Sequence, residues 1–142
     1  MNVYQHVEGR IAALLRELQA EGTLPADLPL PQIEVEAPRD PTHGDLATNV
    51  AMVLAKPARM KPRNIAELLR AKLSAEPDVA KVDVAGPGFL NLTLDAPVWG
   101  RVVKAVLAEG RDYGRGGAGR GETVNIEYVS ANPTGPMHVG HC

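Results

Sequence analysis

The residues VAKVDVA (79–85), GPG (86–88) and FLNLTL (89–94) read as two strands joined by a tight turn. Both runs are rich in β-branched and apolar side chains, and two glycines flanking a proline return the chain on itself. Side chains alternate along a strand, so Leu90, Leu92 and Leu94 share one face while Phe89, Asn91 and Thr93 share the other. Placing the leucines in the core turns Phe89 and Asn91 outward. The hairpin makes the sheet antiparallel, and its helical flanks make the fold class α+β.

Working outward toward the N-terminus, Val3, Val7, Ile11, Leu14, Leu15 and Leu18 recur at three and four residues and predict a helix over about 2–21, stopped by Gly22. Three prolines make 23–31 a loop. Ile33, Val35 and Ala37 alternate with polar residues and predict a half-buried strand. After a turn over 38–44, Asp45 reads as the N-cap of a helix through LATNVAMVLA (46–55), with Leu46, Val50, Val53 and Leu54 on its buried side and Pro57 as its end. Lys56, Arg59, Lys61 and Arg63 form a short basic run, read as a solvated loop with phosphate contacts as the sharper alternative. Asn64 and Glu67 resemble a capping box before Ile65, Leu68, Leu69 and Leu73. His43 and Asp45 read as turn and cap residues.

Beyond the hairpin, Pro97 suits a first helical turn, and Val98, Val102, Val103, Val106 and Leu107 predict a fourth helix ending at Gly110. The glycine-rich, basic RDYGRGGAGRG (111–121) reads as a linker. Its GRGGAG string (114–119) precedes a strand where a dinucleotide fingerprint must follow one, so that site is dismissed, and an RGG-like RNA-binding tail is the less simple alternative to a linker. Val124 to Val129 then predict a buried strand, ended by SANPTGP (130–136), with MHVGH (137–141) opening a helix. The expected organisation is an α+β domain over 1–112 with a small antiparallel sheet and about four helices, a linker over 113–122, and a strand, turn and helix start over 123–142.

A chain of 142 residues and 15.1 kDa holds one modest core. Its 44% hydrophobic and 23% charged content is ordinary for a soluble protein. No apolar run approaches the roughly 20 residues of a bilayer span, and the N-terminus lacks a basic, apolar leader, so a cytoplasmic protein without membrane partners is expected. The single Cys142 allows no internal disulfide. A net charge of −2 means that nucleic acid must be met by a local patch.

His138 and His141 lie three apart and share one face of the nascent helix, where free N–H groups attract phosphate. Taken alone, the pair reads as a structural helix start or as a zinc site with Cys142 as a third ligand, although two histidines and one cysteine leave the coordination set incomplete. Glu127 and Asn132 alone read as a solvated strand end and a turn former. Phe89 and Asn91 alone read more readily as an aromatic plugged under a loop and a solvated amide than as RNA contacts.

The run SANPTGPMHVGH, with Glu127 upstream, resembles the first signature of class I aminoacyl-tRNA synthetases in its arginyl-tRNA synthetase form. PTHGDLATNVAMVLAK and GPGFLNLTL resemble the extra N-terminal domain of the same enzymes, so the likeness spans roughly 40–142, and residues 1–39 match only in pattern. The resemblance implies a parent that activates L-arginine with ATP and Mg2+ and transfers it to tRNA(Arg), with residues 123–142 opening a Rossmann-type catalytic domain. It implies that His138 and His141 are catalytic and bind ATP with Gly140, and that Glu127, Ser130 and Asn132 line the arginine pocket. It also implies that Phe89 stacks on a base of the tRNA D-loop while Asn91 reads one. Some members carry a lysine where this chain has Gly135, so the second class I motif is expected beyond residue 142. The expectation is a monomeric N-terminal piece, inactive by itself, with ATP and Mg2+ bound poorly, no other metal and no DNA partner. The alternative is a stand-alone RNA-binding or adaptor module.

Overall fold

The computed structural model describes residues 1–116, 121–127, 135, 136 and 138. The first helix, α1 (Val3–Ala20), buries all six of the predicted apolar positions. The Asn2 side chain caps it by accepting from the amides of Tyr4 and Gln5. Gly22, at φ +74°, closes it: its amide donates to Gln19 O at 3.0 Å and that of Thr23 to Leu18 O at 2.9 Å, the paired bonds of a Schellman motif. The proline loop that follows is pinned by Gln19 Nε2 donating to Leu28 O at 2.8 Å, and it sends Leu24 and Leu28 into the core.

The expected strand over 33–37 reduces to one bridge between Glu36 and Ala47. The buried Thr48 accounts for part of this. Its hydroxyl donates to Glu34 O at 2.7 Å, taking an acceptor that a second ladder rung would use. The expected helix start at Asp45 is also corrected. Leu46–Thr48 form a strand, β1, paired with Leu92, Asn91 and Leu90 of β3 (Phe89–Leu94). Asp45 caps nothing, and its carboxylate instead accepts the Leu94 amide at 2.8 Å.

The helix therefore begins later, as α2 (Val50–Ala58), burying Val50, Ala51, Leu54 and Ala58 and leaving Val53 exposed. Pro57 sits inside its last turn, where only one backbone bond is forgone, and Arg59 ends it in the left-handed region. Pro62 opens α3 (Pro62–Leu73) at its first position, so Asn64 lies within the helix rather than capping it. Glu67 pairs instead with Arg70 at 2.6 Å.

β2 (Val79–Ala85) and β3 pair antiparallel, and the sheet order is β1-β3-β2. The inner face of β3 is the core: Leu90 and Leu92 are fully buried among Leu54, Ile65 and Leu69 of α2 and α3, with α1 packed on α3. After the sheet, α4 (Ala96–Glu109) buries Val98 but leaves Trp99, Val103 and Leu107 exposed, Leu107 to 76%. The segment 123–127 carries no strand, and Val124 and Ile126 are 68% and 65% exposed; positions 128 and 129 of the expected strand lie outside the described residues. A parallel-type strand needs neighbours for its backbone groups, and none is supplied to 123–127 among the described residues. No described helix is long and apolar enough to cross a membrane.

One electrostatic knot ties α4 and α1 to the sheet. Asp78 receives Arg101 Nη2 at 2.6 Å and His6 Nε2 at 2.9 Å, and its backbone oxygen accepts the Asp95 amide at 3.0 Å. The Arg101 hydrogen bond, reinforced by His6, holds this carboxyl below the usual carboxylate range against the opposing effect of burial. A carboxyl held low in the folded state stabilises it above the ordinary carboxylate pKa, and that contribution is lost as pH falls through about 4 toward the lowered folded value. Asp78→Asn is expected to cost about 1 kcal/mol at neutral pH, because both partners, Arg101 and His6, remain partly solvated. Urea titrations across pH should show the gap between wild type and variant closing below about pH 4.

Candidate nucleic-acid interface

The outer face of the sheet follows from the same alternation that builds the core. Phe89, 40% exposed, and the partly exposed Asn91 point away from the leucines, as their strand parity predicts. Their strand neighbours there are small or short: Ala85 lies opposite Phe89, and Ala47 and Asp83 flank Asn91. Small neighbours leave the aromatic ring and the amide uncovered at the floor of an open concavity of about 490 Å³.

The wall of this concavity is the segment 36–43, contributing Glu36, Pro38, Arg39, Asp40 and His43. It is held rigidly for a loop. Asp40 accepts from the Thr42 amide at 2.9 Å and the Thr42 hydroxyl at 2.7 Å, which caps the 3-10 turn Pro41–His43 and holds the Asp40 carboxyl below its usual range. Gly44 then crosses β3 at φ +99°, so close that a Cβ there would sit 2.6 Å from Leu92 O. The Asp45 amide donates to that same oxygen at 2.8 Å. His43 thus lines the site, beyond the turn role its sequence context suggests.

The chemistry on offer is recognition rather than catalysis. An exposed ring can stack on a planar base, and an amide can both donate to and accept from a base edge. Neither the Asn91 amide nor the Arg39 guanidinium has a side-chain hydrogen bond or ion pair among the described residues, so both are available to a ligand. Arg39 was not singled out in the sequence, because only the fold brings residue 39 to residue 89.

Of the other predicted site, only Glu127 and His138 are among the described residues. Glu127 is exposed on an irregular segment, and Gly135, Pro136 and His138 are exposed. Ser130, Asn132, Gly140 and His141 lie outside the described residues. Among the described residues no three His, Cys, Asp or Glu side chains converge as metal ligands.

With this geometry in place, residues 5–94 match the family model described as the arginyl tRNA synthetase N terminal domain. The chain belongs to that family. It is 60% identical over 141 residues to the arginine–tRNA ligase of Ruegeria pomeroyi, covering 99% of this chain and 24% of that protein. It is 60% identical over 146 residues to that of Azorhizobium caulinodans, covering 100% and 24%. The chain therefore spans about a quarter of the length of these curated relatives. Among solved structures, Thermus thermophilus arginyl-tRNA synthetase aligns with TM-score 0.51 at 25% identity, over 99% of this chain and 21% of that one. The Plasmodium falciparum arginyl-tRNA synthetase, with TM-score 0.58 at 11% identity over 73% and 18%, shares the fold. The family match ends at Leu94, so it encloses the whole sheet, including Phe89 and Asn91, and leaves α4 and everything after it outside.

Proposed function

We propose that this chain is the tRNA-contacting N-terminal part of a cytosolic, monomeric arginine–tRNA ligase. The whole enzyme would join L-arginine to tRNA(Arg) through an arginyl-adenylate formed from ATP, and this part by itself would not. The observation that carries the reading is the uncovered pair Phe89 and Asn91 on the outer sheet face of a chain belonging to this family. Phe89 would stack on a D-loop base, and Asn91 would hydrogen-bond a base edge.

Residues 123–142 would begin the Rossmann-type catalytic domain. There Glu127, Ser130 and Asn132 would face the arginine, the guanidinium suiting a carboxylate such as Glu127. His138, Gly140 and His141 would hold ATP, the histidines donating to its phosphates. Bound Mg2+ would offset phosphate charge.

Stacking on an exposed aromatic is worth about 1–3 kcal/mol per base, so Phe89→Ala is expected to weaken tRNA(Arg) binding about 5- to 150-fold, with a smaller loss for Asn91→Ala. Both side chains are at least partly exposed, so the variants should keep their thermal stability. Filter binding or fluorescence anisotropy reads the affinity. Equal binding by wild type and the double variant would remove the D-loop role.

A further inference from the structure

The end of the basic run, Lys61 to Arg63, is placed by the fold beside the hairpin turn that leads into Phe89. Pro62, the first residue of α3, abuts the hairpin turn: a Cβ on Gly88 would lie 3.0 Å from Pro62 Cβ and 3.2 Å from Pro62 O. Arg63 Nη1 donates to Gly86 O at 3.4 Å, a weak bond that drapes the guanidinium over the turn and leaves its other N–H groups unused. Phe89 is the next residue after Gly88. Lys61 and Arg63, both exposed, therefore flank the entry to the strand that carries the ring.

Their charge is uncompensated. Six other basic side chains, Arg10, Arg70, Lys72, Lys81, Arg101 and Arg115, are paired with carboxylates, whereas Arg16 and Arg39 are, like Lys61 and Arg63, without an ion pair among the described residues. Among the described residues no carboxylate pairs with Lys61 or Arg63. Arg59 belongs to a different surface, a cleft it shares with Pro25 and Asp27.

We propose that Lys61 and Arg63 form a ledge that contacts the RNA sugar–phosphate backbone next to the nucleotide stacked on Phe89. The ledge rests on the RNA-binding reading of the outer sheet face and adds to it a class of contact that stacking lacks. Stacking on a neutral ring is insensitive to salt, whereas each phosphate contact releases condensed counterions and steepens the salt dependence.

The test is the affinity for a tRNA(Arg) transcript as a function of KCl from about 50 to 200 mM. It compares wild type, the double variant Lys61→Gln with Arg63→Gln, Phe89→Ala, and Arg16→Gln, an exposed cation on α1 in the helical layer behind the sheet. The double variant should lower the slope of log K against log salt by about 1.4, from about 0.7 per contact on unpaired RNA. Phe89→Ala should weaken binding at every salt concentration with the slope kept, and Arg16→Gln should change neither. An unchanged slope in the double variant, with the Phe89 loss intact, overturns the ledge and leaves the stacking reading standing. No loss on Phe89→Ala overturns the stacking reading and the ledge with it. A slope lowered as much by Arg16→Gln marks diffuse attraction and overturns the ledge alone.

Discussion

Gly44→Ala is expected to destabilise the protein by about 3 kcal/mol or more and to weaken RNA binding in whatever folded protein remains. Two costs combine. The backbone at φ +99° and ψ −161° lies in a region open to glycine and strained for any residue with a Cβ. The added carbon would also meet Leu92 O at 2.6 Å and Thr93 Oγ1 at 3.1 Å, and the nearer of these is main chain of the central strand, which cannot swing aside. Relief would require the 36–43 wall to lift off β3, breaking the Asp45 amide bond to Leu92 O and the Asp45 carboxylate bond to the Leu94 amide. Gly22→Ala serves as the control. Gly22 also has a positive φ, +74°, but nothing lies within 4 Å of its Cβ position, so only the conformational cost of about 1–2 kcal/mol should appear. Chemical denaturation of the two variants measures the difference; equal losses would mean that the close crossing at Gly44 is not tight in solution.

His138→Ala and His141→Ala, made in the whole ligase, should each cut arginine-dependent ATP–pyrophosphate exchange by about 10²- to 10³-fold, the usual cost of removing one donor aimed at developing charge. In-line attack on the α-phosphorus gathers negative charge on phosphate oxygens. Fixed imidazole donors at a helix start are suited to meet that charge. On a helix start, a spacing of three residues would bring both rings to one ligand. Exchange within a few-fold of wild type for both variants would contradict the catalytic role. Phe89→Ala should leave this half-reaction unchanged, because adenylate formation is proposed to use the opposite end of the chain.

The β3 face was legible in the sequence because alternation with strong leucines leaves one choice of register, and the structure puts Leu90 and Leu92 in the core and Phe89 and Asn91 outside it. The same held for α1, whose six apolar positions all bury. Asp45 was misread because a carboxylate before an apolar run looks the same whether it caps a helix or serves a distant strand. Its actual partner, the Leu94 amide, is 49 residues away. On α4, periodicity showed which side is apolar but not whether anything covers it, and Trp99, Val103 and Leu107 are exposed. The wall of the site was illegible for a related reason. Arg39 and His43 meet Phe89 only because β1 pairs with β3 across more than forty residues of chain, a contact with no local trace. For Glu127 and His138 the residue types pointed to a ligand site, and Ser130, Asn132, Gly140 and His141 of that site lie outside the described residues.

Chemical footprinting of tRNA(Arg) tests most directly whether the Phe89 face of the sheet meets the tRNA D-loop. The protein is expected to protect D-loop nucleotides, and Phe89→Ala with Asn91→Ala is expected to abolish this protection. Protection of the D-loop that persists in the double variant, or protection confined to other parts of the tRNA, would contradict a contact through this face.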